Sequence, residues 1–125
     1  MTDLSPFFKS IIDQDQASVV VCDLNHTIIY VNPAACEHYA KWGGEKLTGT
    51  SLMDCHNERS QGLIIQVTEW FKASKCNDKV HTFYNEKQNK DVYMIALRDE
   101  NRELIGYYEK HEFRTKDETP FYDMK

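Results

Sequence analysis

Apolar residues recur along this chain at two spacings, and the changes of spacing mark its elements. In "DLSPFFKSII", Leu4, Phe7, Phe8, Ile11 and Ile12 stand at helical intervals, with Ser5 as N-cap and Pro6 at the first helical position. So short a helix needs a surface to dock on. "ASVVVCDLNHTIIYVN" then supplies two β-rich runs, 18–23 and 27–31, joined by a turn containing Asn25, which reads as a hairpin. A short helix follows at once in "NPAACEHYAKW", with Asn32 as N-cap and Pro33 in the first turn; Gly43-Gly44 stops it. Residues 45–57 carry no clean period, and one helical turn is expected there, begun by Ser51 with Asp54 as its capping partner.

From Glu58 to Lys75 the helical period returns. Leu63, Ile64, Val67, Trp70, Phe71 and Ser74 fall on one stripe, and Asn57 is the expected N-cap. The period then becomes two. "KVHTFYNE", "DVYMIALR" and "ELIGYYEKHEF" read as three strands, separated by the turn-like "KQNK" and "DEN". The order is helix, two strands, short helices, long helix, three strands. Its natural packing is an α+β domain: a five-stranded antiparallel sheet with helices gathered on one face, plus the N-terminal helix. Such a layout leaves a cavity between the long helix and the inner face of the sheet. The expected organisation is an amphipathic helix over 1–15, a folded domain over 16–113 and a loosely held polar tail over 114–125.

Composition narrows the function. A chain of 125 residues suits one domain. The net charge of −5, with basic residues scattered singly among acids, opposes a nucleic-acid surface, which needs a basic stripe. No leader pattern opens the chain, and no run reaches the roughly 18–20 apolar residues of a membrane span. A cytoplasmic protein is expected. Cysteines 22, 36, 55 and 76 stand far apart without a C-x-x-C pair, so neither a zinc ribbon nor a redox dithiol is signalled. Three of them are expected to pack as small hydrophobes.

The one dense patch of chemistry is "SLMDCHNERS", where Asp54, Cys55 and His56 stand consecutively ahead of the long helix. Consecutive residues do not converge on a tetrahedral metal. The other histidines, at 26, 38, 81 and 111, are scattered and read as surface or strand residues. Ser51 and Ser60 lack a G-x-S-x-G context, and no Gly-rich loop follows a strand. The acids of "DENRE" read as a solvated turn, so no carboxylate pair is placed for acid–base work. No enzyme is expected. Phe83, Tyr84, Tyr93, Tyr107, Tyr108 and Phe113 crowd the last three strands, alternate ones filling the core. The outer ones, together with Phe7 and Phe8, would form an apolar patch suited to dimerisation.

"IIYVNPAACEHYAKWGGEKLTGTSLMDCH" gives this layout a family likeness: the chain resembles a PAS sensory domain over roughly residues 10–113. "I-x-Y-V-N-P-A-A" (Ile28 to Ala35) is similar to the motif opening the first core helix of many PAS domains, and "LTG" at 47–49 to their Leu-x-Gly. "DCHNERS" and "ALRDENRELIGYYEKHEF" resemble one branch in particular, often attached to hemerythrin-like domains. That branch has Cys-His-Pro-Pro-x-Ser here and closes on "V-R-D-E-x-G-x-Y-x-G-x-L-E". Asn57 and Glu58 replace its prolines, "EKHEF" replaces the usual Asp-Ile-Thr, and no output domain follows. The resemblance implies a stand-alone sensor that binds a small molecule or cofactor and signals through a dimer or an unidentified partner protein.

The pocket residues so implied are Cys36, Tyr39, Leu52, Cys55, His56, Leu63, Val67, Ile95 and Leu97. If the ligand is haem, His56 would be its iron ligand. Flavin is not expected, because "DCHNERSQ" lacks the Asn-Cys-Arg-Phe-Leu-Gln of light-sensing relatives. Homodimerisation would use Phe7, Phe8, Ile11 and Ile12. The rival reading is a dimerisation or adaptor domain with a filled, ligand-free core.

Overall fold

The computed structural model describes residues 1–124. Its elements are α1 (Ser5–Asp13), β1 (Val19–Asp23), β2 (Ile28–Val31), α2 (Pro33–His38), α3 (Glu58–Ala73), β3 (Lys79–Asn85), β4 (Lys90–Arg98) and β5 (Leu104–Phe113). Three 3₁₀ turns, Ala40–Trp42, Gly44–Leu47 and Leu52–Cys55, fill the stretch between α2 and α3. All pairings in the five-stranded sheet are antiparallel, in the order β2-β1-β5-β4-β3. The chain's first and last strands therefore meet at its centre. No helix among the described residues is long and apolar enough to cross a membrane.

Register decides which side chains face the helices. Cys22 and Ala96 flank Tyr107 on one rung; Val20 and Met94 flank Glu109 on the next; Val92 pairs with His111 beyond them. This is the inner face. Its apolar members join Ile28, Val31, Ala35, Leu47, Leu52, Ile64 and Phe71 in the core. Gly106 has no room for a side chain, because a Cβ there would lie 2.3 Å from the Cys22 carbonyl oxygen. That absence lets β5 approach β1 beside Tyr107.

Val19, Val21, Leu97, Tyr108 and Lys110 lie on the outer face, where with Phe8, Ile11 and Ile12 of α1 they line a groove. Ile95 pairs with Tyr108 and shares that face. Ile95 and Leu97 are thus corrected from pocket residues to outer-face residues. β4 is apolar on both faces because α1 lies beside the outer one, so its sequence shows no alternation to reveal the register.

Local chemistry explains the element ends. α1 begins one residue earlier than expected: Ser5, the expected cap, is itself helical, Leu4 takes the cap position, and the Ser5 N–H donates to Asp3 Oδ1 at 3.0 Å. Asn32 and Asn57 cap α2 and α3 as expected, accepting from Ala35 N–H and Ser60 N–H, each at 2.9 Å. Gly43, at φ 114°, ends the first 3₁₀ turn in a backbone conformation that glycine adopts without strain. Ser51 caps the third turn through Met53 N–H, whereas Asp54 is exposed and gives no reciprocal bond. α3 stops at Ala73, and its buried stripe is Ile64, Thr68 and Phe71. Leu63 and Trp70 flank that stripe and stay 49 % and 44 % exposed. Beyond β5, Arg114 grips Asp91 through two bonds of 2.7 and 2.8 Å, and residues 115–124 carry no helix or strand.

Candidate functional site

α3 buries one stripe against the sheet and stands off it elsewhere, leaving a cavity of about 610 Å³. Leu52, Leu63, Ile64 and Val67 wall it on the helix side, and Val20, Cys22, Val92, Met94 and Tyr107 on the sheet side. A smaller cavity of about 250 Å³ adjoins it, bounded by Ile28, Trp42, Leu47 and Cys55. Val20, Tyr39, Leu52, His56 and Glu109 border both.

Polar groups collect at this junction. Glu109 projects from the central strand β5, and Tyr39 Oη donates to its Oε1 at 2.7 Å. His111 Nε2 meets the same oxygen at 2.8 Å. Burial pushes the Glu109 carboxyl up, but the hydrogen bond and charge of His111, then the bond from Tyr39 and the charge of His56, together hold it below its ordinary value. Glu109 is therefore a carboxylate at neutral pH, half-buried where the two cavities meet. Burial first, then Glu109, pushes the Tyr39 phenol well up, so Tyr39 remains a donor. His38 stacks edge-on against both Tyr39 and His111, at centroid distances of 4.6 and 5.4 Å. Burial and then Lys90 hold its imidazole below its ordinary value.

His56 ends the third 3₁₀ turn. Its Nδ1 lies 2.8 Å from the Leu52 carbonyl oxygen, which can only accept, so Nδ1 carries the proton and Nε2 keeps its lone pair. Nε2 has no protein partner among the described residues. Gln61 of α3 pins the same turn, its amide donating to the Met53 and His56 carbonyls at 2.9 Å each. The orientation of His56 is thus set from two sides. Deeper in the cavity wall, Tyr107 Oη points at His26 Nδ1 across 2.7 Å. Burial pushes the Cys22 thiol up to about 12, which leaves it an inert thiol.

The expected pocket residues divide. Tyr39, Leu52 and His56 border both cavities, Leu63 and Val67 the larger, Cys55 the smaller. Cys36 does not reach either: it lies on α2 beside a cleft shared with Lys9, Asp13 and Tyr30. Ile95 and Leu97 are on the far side of the sheet, as described above. Of the four cysteines only Cys22 and Cys36 are buried or half-buried, whereas Cys55 and Cys76 are exposed. Phe7, Phe8 and Ile11 of α1 are 58 %, 56 % and 70 % exposed, and Ile12 is half-buried.

Sequence reasoning missed Glu109, His111 and His38, and treated the two histidines as unconnected. The available signal was the run Tyr107-x-Glu109-x-His111, which places two polar residues on the face that an aromatic marks as inner. Among the described residues, no group of three or more His, Cys, Asp and Glu side chains converges on a metal position.

The family model described as PAS fold matches residues 12–109. The chain therefore belongs to the PAS fold family, a family of sensory domains. Solved structures agree on the fold. The C-terminal domain of a protein from Streptococcus mutans superposes with a TM-score of 0.64 at 18 % identity, covering 85 % of this chain and 81 % of that one. The PAS domain of a protein from Colwellia psychrerythraea gives 0.61 at 16 % identity, covering 89 % and 97 %. The Aer2 receptor from Vibrio cholerae, described as a dual PAS-heme oxygen sensor, gives 0.56 at 16 % identity, covering 79 % and 95 %. A search of curated proteins finds no match.

Proposed function

We propose that this chain is a sensor module whose cavity between α3 and the sheet takes a small ligand, with occupancy read out through a dimer or partner contact. The observation that carries the reading is the cavity itself. At about 610 Å³ it falls within the range of about 300–1,000 Å³ typical of small-molecule sites, and its apolar walls converge on a few fixed polar groups. A domain that served only as an adaptor has no use for a buried carboxylate facing open space. Two routes lead outward from the cavity: α3 forms one wall, and β1 and β5 carry Val19, Val21 and Tyr108 to the groove beside α1. A ligand preferring one arrangement of these walls would shift the population toward it.

Native mass spectrometry of the purified chain tests this. The expected result is a co-purifying mass that disappears on denaturation, or saturable uptake of a small molecule after its removal. A cavity that stays empty and accepts nothing from a fragment library would leave the adaptor reading in place.

One observation favours haem as a second reading of the same cavity. His56 has the tautomer an iron ligand requires: Nδ1–H is bonded to a carbonyl and the Nε2 lone pair is unengaged. The visible spectrum of the same preparation decides it. A Soret band lost in His56→Ala would support haem, and a flat titration with hemin would remove it.

The signalling surface we propose is α1. Ile11 is 70 % exposed, so a charge there spares the fold. Sedimentation equilibrium is expected to show a wild-type homodimer and an Ile11→Glu monomer with an unchanged circular dichroism spectrum. A monomeric wild type would move the readout to a different partner protein.

A further inference from the structure

Glu109 holds the key to the ligand's chemistry. Both of its protein donors, Tyr39 Oη and His111 Nε2, converge on Oε1. Oε2 has no partner among the described residues, and Glu109 borders both cavities with 22 % of its side-chain surface accessible. Among those residues the carboxylate has no lysine or arginine within ion-pair distance; His111 is its one ion-pair neighbour. His111 meets Oε1 through Nε2, and its Nδ1 is buried with no hydrogen-bond partner. His38, the next imidazole along, is biased towards the neutral form by burial. The one arginine lining the larger cavity, Arg59, is solvent-exposed. The carboxylate is thus hydrogen-bonded on one oxygen and unpartnered on the other, with the buried Lys90 acting on it from beyond ion-pair distance.

We propose that the cavity recognises a small amine, whose protonated nitrogen sits on Glu109 Oε2 and whose apolar body packs against Leu52, Leu63, Val67 and Met94. This deepens the sensor reading and rests on it. Hydrogen bonds to a charged group contribute about 1.5–3 kcal/mol, which corresponds to roughly 10- to 100-fold in affinity. A half-buried carboxylate with no lysine or arginine in direct contact is a costly arrangement that an ammonium group on Oε2 relieves. An anionic ligand would meet Glu109 at the junction of the two cavities, where no buried lysine or arginine lines the wall to offset the repulsion. A neutral ligand would gain the apolar contacts alone.

Three probes of one shape separate these cases: phenethylamine, phenethyl alcohol and hydrocinnamate, titrated at neutral pH into the isotope-labelled full chain and followed by amide chemical shifts. Phenethylamine is expected to perturb Leu52, Val67 and Met94 and to bind about tenfold or more tighter than phenethyl alcohol, with hydrocinnamate weakest. In the isosteric Glu109→Gln variant the preference for the amine should fall below about threefold while the alcohol still binds. Equal or tighter binding of the alcohol or hydrocinnamate by the wild type overturns the amine assignment and leaves the ligand cavity standing. So does an undiminished amine preference in Glu109→Gln. Failure of all three probes to bind overturns the ligand cavity itself. The wild-type comparison needs no variant, so it stands even where Glu109→Gln does not fold.

Discussion

Asn32→Ala is expected to lower the unfolding free energy by about 3–4 kcal/mol, measured by urea denaturation. Few side chains in this fold join so many segments. Asn32 is fully buried, at 0 % exposure. Its Oδ1 accepts from Ala35 N–H, capping α2, and from Val19 N–H at the head of β1, each at 2.9 Å. Its Nδ2 donates to the Ile12 carbonyl at 3.0 Å and the Ala17 carbonyl at 3.1 Å. Loss of an N-cap costs about 1 kcal/mol, and each buried group left unpaired adds about 1–3 kcal/mol, partly recovered by entering water.

Asn32→Asp separates the two halves of this network. The new carboxylate keeps both accepted bonds but turns an oxygen toward two carbonyls where Nδ2 had donated. Burial and those carbonyls would raise the folded-state pKa of the new group above its unfolded value. Stability relative to wild type should therefore improve as pH falls through that raised pKa, because the protonated carboxyl can donate again. A deficit that does not change with pH would mean that the donated bonds to Ile12 and Ala17 contribute little. Because those bonds hold the end of α1, limited proteolysis should cut Asn32→Asp within residues 4–17 before the rest of the domain opens.

The parts of this structure legible in the sequence are those written in local spacing. Every strand and both longer helices follow from periods of two and 3.6, and Asn32, Ser51 and Asn57 act as caps where they were expected to. Face assignment failed where locality failed. In "DVYMIALR" the inner Val92, Met94 and Ala96 look no different from the outer Tyr93, Ile95 and Leu97, because α1 lies beside the second face. Cys36 sits one residue beyond the fully buried Ala35 on α2, and that rotation of about 100° carries it away from the cavity. The cluster of Tyr39, His38, Glu109 and His111 was invisible for another reason. Residue 39 meets residue 109 only once β5 has inserted beside β1, a consequence of topology that no window of sequence contains.

Arg98→Ala is the second large effect, expected at about 3 kcal/mol and concentrated on α3. The Arg98 side chain is 5 % exposed although it carries a full charge. Its Nη2 donates to the carbonyls of Phe71 at 2.8 Å, Asn77 at 2.9 Å and Ser74 at 3.1 Å, and its Nε to Asp78 Oδ1 at 2.8 Å. The last carbonyls of a helix have no partner within it and carry the negative end of its dipole, so one guanidinium answers both needs. It also fastens the C-terminal end of α3 to β4, setting how far the cavity's helical wall stands from its floor. Arg98→Lys should recover less than half of the loss, because a single ammonium cannot serve the Nε and Nη2 directions together. The pH dependence follows from Asp78, whose carboxyl Arg98 first and Arg102 second hold below its ordinary value. That contribution is present at neutral pH and disappears as pH falls through the depressed folded-state value. In Arg98→Ala the acid-induced loss of stability should be correspondingly shallower. Amide exchange should quicken across residues 69–77 more than in β1 or β5. Uniform acceleration across the whole chain would mean that Arg98 stabilises the fold without specifically holding the wall of the cavity.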